Sequence, residues 1–136
     1  MNPSFTREES TSLVKEHTLQ IELIHLLENS IVEKKSDSEK ITILDQLISF
    51  SQVHFMSEQL VMRHHSYDGY DEHEIDHIAL VEQLQELKDQ VNSGSTSIDQ
   101  PAINQLRDML INHINSHDQK LSSFLTSMAE SKNNLI

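Results

Sequence analysis

Apolar residues recur every three or four positions along most of this chain, which is the period of an α-helix with one buried face. In the first periodic segment, Leu13, Ile21, Ile24 and Ile31 fall on one such face. The polar stretches between periodic segments are short, and the whole sequence contains only two glycines and two prolines. The pattern therefore predicts long helices joined by short polar loops.

Capping signals indicate where the helices begin. A Ser, Thr or Asp three residues before a Glu forms a capping box, and such pairs open three of the helices: Thr6 with Glu9, Ser36 with Glu39, and Asp71 with Glu74. Asp99, followed by Pro101 in the first turn, opens the fourth. The predicted helices cover roughly residues 6–32, 39–64, 71–91 and 99–130. Their short connections predict an all-α fold, an up-down-up-down antiparallel four-helix bundle.

Length and composition narrow the class of protein. A chain of 136 residues predicts a single domain, 1–136, and its formal charge of −12 disfavours nucleic acid and anionic membrane as partners. The absence of cysteine excludes disulfides, thiolate catalysis and iron–sulfur clusters, so any metal needs nitrogen and oxygen ligands. No apolar stretch approaches transmembrane length and the N-terminus is polar, which together predict a cytoplasmic location.

Histidines occupy the apolar faces of all four predicted helices. His17 is in the middle of the first face, whereas His25 falls on its flank. A lone histidine on such a face is more often a core residue satisfied by its neighbours, but here each helix carries one and two of the groups have i, i+4 spacing. The set contains His17, His54, Glu58, His73, His77 and His113. One shared metal removes the desolvation cost of burying all of them, and imidazole with carboxylate suits iron, zinc or manganese.

Helical spacing does not select Asp118. It follows His113 by five residues, which is roughly 140° around an ideal helix. On spacing alone His117, four residues after His113, is the better candidate.

The ordered pattern H17, H54-F-M-S-E58, H73-E-I-D-H77 and H113-I-N-S-H-D118 resembles the hemerythrins, most closely the single-domain bacterial ones. Tyr67, six residues before His73, and the stretch LINHINSHD extend the resemblance over nearly the whole chain. The resemblance implies a non-haem di-iron centre with an oxo or hydroxo bridge. His73, His77 and His113 would then hold one iron, His17 and His54 the other, and Glu58 and Asp118 would bridge them. The second iron would be five-coordinate and would bind O₂.

Several positions depart from the family pattern: Val14, Gln20, Gln59 and Met109. Gln20 replaces an apolar residue that is usual near the ligand pocket. Its amide either reaches toward the open iron position, where it contacts the bound ligand or a water, or turns outward to solvent. Gln20→Leu is predicted to dry the pocket if the first reading holds.

The remaining histidines and methionines receive simpler interpretations. His25 and His117 are candidates to support the metal ligands, and His64 and His65 are expected to be exposed or capping. The methionines are interpreted as core residues: Met56, Met62, Met109 and Met128.

The leading function is a non-enzymatic O₂ carrier or store with O₂ as its ligand. A sensor of O₂ or redox state is the alternative, but 136 residues leave no room for an output module, so a sensor would act through a partner protein. An enzyme that processes peroxide or nitric oxide ranks third, because the sequence offers no acid–base residue beyond the ligands. Iron storage ranks last, since no cage-forming signature is present. The sequence leaves the oligomeric state open, a monomer included.

Overall fold

The computed structural model of this protein describes the backbone of residues 3–133 and the side chains of residues 13–130. Within that part of the chain all regular structure is helical, and the elements are α1 (Pro3–Val32), α2 (Asp37–His64), α3 (Tyr70–Asn92), α4 (Gln100–His113), a π-helical segment (Ile114–Asp118) and α5 (Gln119–Asn133). The last three form one continuous rod. The described residues therefore build four helical rods that pack as a four-helix bundle.

Two of the predicted caps are confirmed. The Ser36 side chain accepts a hydrogen bond from the backbone N–H of Glu39 at 3.2 Å, so this cap opens α2. The Asp99 carboxylate accepts from the N–H of Ala102 at 3.0 Å and opens α4. Both caps satisfy backbone donors that have no partner inside the helix.

The other two helix starts differ from the prediction. Gly69 precedes α3 with no side-chain cap, and Asp71 lies inside the first turn, so the predicted Asp71 cap is wrong. Helix α1 already begins at Pro3. The Thr6 capping box falls on side chains outside the described residues.

Helix neighbours follow the order of the chain and then close the bundle. Helix α1 packs against α2 and also against α4 and α5, while α3 packs against α2 and α4. This arrangement gives every rod one face toward a common interior. The prediction that the methionines are core residues is wrong for one of them. Met56 is 58% exposed, whereas Met62 is fully buried.

The interior contains two apolar clusters. The larger one includes Ile24 and Leu47 with other aliphatic residues from all four rods. The smaller one contains Leu13, Met62 and Leu121 with Leu125. Along α1, α2 and the fourth rod, the polar residues of the predicted site lie between members of these two clusters, so they form a buried polar layer across the bundle.

Among the described residues, no helix is long and apolar enough to cross a membrane.

Candidate metal centre

The structure brings all seven predicted site residues into the polar layer. Their potential ligand atoms form two overlapping groups, each with all atoms within 4.8 Å of one another: Glu58, His73, His77, His113 and Asp118 in one, and His17, His54, Glu58 and Asp118 in the other. Glu58 and Asp118 belong to both. Six of the seven residues are buried, and the His17 side chain is 14% exposed.

Regular helical spacing is sufficient to position four of these side chains. His54 and Glu58 are one turn apart on α2, with Nε2 3.1 Å from Oε1. His73 and His77 are one turn apart on α3, with ring centroids 4.4 Å apart. Residues four apart project from the same face of an α-helix, which is why both pairs point into the interior.

Asp118 reaches the centre because the fourth rod is not an α-helix between Ile114 and Asp118. This segment is π-helical, and the N–H of Gln119 bonds to the carbonyl of Ile114, five residues earlier. A π turn aligns residues five apart rather than four. The His113 Nε2 atom therefore lies 3.0 Å from Asp118 Oδ1. His117 belongs to neither group, so the preference that ideal spacing gave it is wrong.

Three carboxylates contact the outward Nδ1 atoms of the histidines. Glu16 lies 2.5 Å from His54 Nδ1, and Asp76 lies 2.5 Å from His113 Nδ1. An Nδ1–H that donates to a carboxylate leaves Nε2 unprotonated and directed inward, which is the form that binds a metal.

The third carboxylate is Glu74, which lies 3.4 Å from His77 Nδ1. Glu74 also accepts a hydrogen bond from the Gln59 side-chain amide. Sequence analysis missed all three. Glu74 precedes His77 by three residues on the same helix, so helical spacing carried a signal for it. Glu16 and Asp76 act on histidines of other helices, and no sequence spacing reports such contacts.

Several buried polar atoms at the centre have no hydrogen bond within the described residues: Nε2 of His17, His54, His73 and His113, Oε2 of Glu58, and both carboxylate oxygens of Asp118. They nevertheless lie close together. His17 Nε2 is 2.8 Å from Asp118 Oδ2, and His73 Nε2 is 3.0 Å from Asp118 Oδ1. Buried atoms that converge without hydrogen-bond geometry are costly unless a cation satisfies them. A donor set of imidazole nitrogen and carboxylate oxygen fits iron.

Charges within the polar layer shift the pKa values of its carboxylates and imidazoles. Burial alone would raise the pKa of Glu58, but the surrounding imidazoles outweigh it and hold that pKa at about 2. The same balance holds the pKa of Asp118 well below its ordinary range. Burial would lower the pKa of His73, yet the Asp118 and Glu58 carboxylates raise it to about 9. The metal-free layer therefore contains ionised carboxylates neutralised by protons on imidazoles.

His77 behaves differently, because burial outweighs its contact with Glu58 and lowers its pKa. Its ring stacks on Phe55, with centroids 4.0 Å apart and 14° between the planes. Phe55 thus shields one face of this histidine from water.

The residues that sequence analysis left open are also placed. Gln20 is fully buried and donates a hydrogen bond to Ser51 at 3.0 Å, so the outward reading is wrong. His25 is exposed and outside both groups. The His117 ring lies 5.6 Å from that of His113 and its Nε2 atom 3.9 Å from the Asp76 carboxylate. His65 is buried and its backbone N–H caps α2, while His64 is exposed.

Comparison with known proteins agrees with this geometry. Residues 10–125 match the family model described as the hemerythrin HHE cation binding domain. The chain belongs to the hemerythrin family, and its family membership and histidine–carboxylate cluster together indicate non-haem iron binding.

A curated relative is the bacteriohemerythrin of Methylococcus capsulatus (strain Bath), which is 32% identical over 76 residues. The match covers 56% of this chain and 58% of the relative, so it spans little more than half of either protein. No solved structure gives a significant match to the chain.

Proposed function

We propose that this protein binds two iron ions in the polar layer and serves as a carrier or store of O₂. The observation that supports it is the pair of overlapping ligand groups that share Glu58 and Asp118. Two metal ions bridged by two carboxylates account for both groups, and one ion does not. In the proposed assignment His73, His77 and His113 hold one iron, His17 and His54 hold the other, and the shared carboxylates bridge them.

The two groups differ in their number of protein ligands. One contains three histidines and two carboxylates, and the other contains two histidines and the same two carboxylates. Bound iron would therefore have fewer protein ligands on the side of His17 and His54. An iron pair with such unequal ligation would supply a position for O₂ on that side. The asymmetry of the ligand set therefore favours O₂ binding over a purely structural metal site.

The protein's own residues keep the site dry and the ligands oriented. The apolar clusters on either side of the polar layer exclude water, and Phe55 covers one face of His77. Glu16 and Asp76 fix the rings of His54 and His113. His17 lines a surface groove of about 660 Å³ between α1 and the fourth rod, whereas His77 and His113 line two smaller grooves. The groove at His17 is a route by which a small ligand can reach the second ion.

We propose that the rods run up-down-up-down within a single domain, 1–136, supported by the short connections at 33–36, 65–69 and 93–99. A carrier role without catalysis is favoured because, among the described residues, neither ligand group contains an acid–base side chain beyond the seven ligands, and the neighbouring carboxylates contact the outward Nδ1 atoms. The cytoplasmic location stays a prediction, and sensing through a partner protein stays the alternative.

Metal analysis and an optical titration test this proposal. Protein produced with iron is expected to contain about two irons per chain. Admission of air to the reduced protein should produce charge-transfer bands that disappear when O₂ is removed. A ratio of one, or a preference for zinc, contradicts the di-iron assignment, and continuous O₂ or peroxide consumption favours an enzyme.

A further inference from the structure

Gln20 and Ser51 form a polar pair inside an otherwise apolar region. Gln20 is 0% exposed and Ser51 1%, and the Gln20 amide nitrogen donates to the Ser51 hydroxyl oxygen at 3.0 Å. On the side away from His17 and His54, the next turn of each helix contributes Ile24 or Leu47, and both are buried in the larger apolar cluster. Burying an amide and a hydroxyl among such residues costs free energy unless their hydrogen bonds are completed.

Those hydrogen bonds are incomplete. The Gln20 carbonyl oxygen Oε1 is buried without a partner, and the Ser51 hydroxyl proton has no acceptor among residues 13–130. A 180° flip of the Gln20 amide does not remove the deficit. It would pair Oε1 with Ser51 and leave the amide nitrogen without a partner instead. The pair thus offers one open acceptor and one open donor at the same place, which is complementary to a molecule that both donates and accepts.

The pair adjoins one half of the metal centre. Gln20 follows His17 by three residues and Ser51 precedes His54 by three, and the rings of these two histidines are 4.7 Å apart. Three residues of α-helix rise by roughly 4.5 Å, so the pair is one turn from the half that has fewer ligands. Ser51 also lines a small cavity of about 10 Å³, in which it is the one polar lining residue beside Phe55 and other apolar side chains. That is about the smallest volume that holds one water molecule, and a water there needs the polar atoms of Ser51 and of the neighbouring Gln20 as partners.

We propose that Gln20 and Ser51 bind one internal water beside His17 and His54, and that this water selects for small anions that accept hydrogen bonds. The water accepts from the Ser51 hydroxyl and donates to Gln20 Oε1, which leaves its second proton for a ligand at the centre. An anion such as azide gains that hydrogen bond, whereas a neutral diatomic gas gains little. The selectivity rests on the proposed function, because the anion binds the iron held by His17 and His54.

Crystallography tests the water without reference to iron. A high-resolution structure of the purified protein is expected to show one ordered water within hydrogen-bond distance of both Gln20 and Ser51. The water should be absent from Gln20→Leu and retained in Gln46→Leu, a matched change at an exposed position of α2. A parent structure without this water overturns the proposal.

Azide binding tests the selectivity. In the oxidised, iron-loaded protein, Gln20→Leu and Ser51→Ala should each bind azide about tenfold more weakly, as expected for one lost hydrogen bond to an anion. Gln46→Leu and the exposed Ser49→Ala should match the parent, and nitric oxide affinity of the reduced protein should stay unchanged in all variants. Ser51→Ala decides the question if Gln20→Leu does not fold. Equal azide affinities overturn the selectivity, whereas a parent that takes up no iron refutes the di-iron proposal and leaves the water to the crystal structure.

Discussion

His113 and Asp118 lie five residues apart, yet Nε2 of the first is 3.0 Å from Oδ1 of the second. The π-helical segment between them makes this contact, since an α-helix would direct Asp118 away from the interior. The same carboxylate lies within 3.0 Å of nitrogens from His17 and His73. One local change in helix geometry thus connects α1, α3 and the fourth rod through a single side chain.

Asp118→Ala is therefore expected to lower metal content in both halves of the centre, because Asp118 belongs to both ligand groups. The matched change is His117→Ala, at the position that ideal helical spacing favours but the structure leaves out of the cluster. Iron measured per chain should fall well below the parent value in Asp118→Ala and stay near it in His117→Ala. The reverse result would make His117, and not Asp118, the metal ligand on the fourth rod.

The first helix offers a second matched pair. His17→Ala removes a side chain whose Nε2 atom is 2.8 Å from Asp118, whereas His25→Ala changes an exposed residue. We expect His17→Ala to lose iron from the half with fewer ligands and to lose the O₂-dependent absorption bands. His25→Ala should keep both. Loss of the bands in His25→Ala alone would reverse the assignment.

Sequence alone was sufficient where local geometry decides the outcome. His54 with Glu58 and His73 with His77 are four residues apart on regular helices, so their common face follows from the helical period. The caps at Ser36 and Asp99 depend only on residues within three positions, and both are present. The bundle itself follows from the apolar periodicity of the four segments.

Sequence reasoning failed where the chain departs from the α-helical period or where helices meet. The period of an α-helix cannot select Asp118, because the π-helical segment changes the period over Ile114–Asp118. Glu16 and Asp76 contact histidines on other rods, so their roles depend on packing rather than spacing. Gln20 was ambiguous for the same reason, since its burial depends on Ser51 across the α1–α2 interface.

The carboxylate behind His54 gives a third prediction. Glu16→Gln keeps an acceptor for His54 Nδ1 but removes the charge that makes the imidazole a stronger ligand. Such outer partners typically contribute about 10–100-fold to metal affinity, so we expect iron affinity to fall by at least about tenfold. Competition with a chelator of known affinity measures this change. Glu22→Gln, at an exposed position of the same helix, is the control, and equal losses in both variants would show a general charge effect.

Metal-free protein is expected to lose stability as the pH rises from about 6.5 to about 9. The pKa of His73 is raised from 6.5 to about 9 in the folded state by Asp118 and Glu58, against the opposing effect of burial. A raised pKa in the folded state adds stability that is complete below the unfolded value and is lost as the pH passes the folded value. Iron-loaded protein should not share this loss, because metal binding requires neutral imidazole.

Urea unfolding at pH 6.5 and 9.5, with a chelator present, measures this dependence through the free energy of unfolding. The loss between the two pH values should shrink in His73→Gln, which removes the group that titrates. It should persist in His77→Gln, because burial lowers the pKa of His77 below its ordinary value, so this group does not gain stability from a proton in this pH range. The two variants change neighbouring residues of the same cluster, so they differ mainly in the sign of the pKa shift that they remove. If both variants keep the slope of the parent, the protons that hold the metal-free layer together are not on His73.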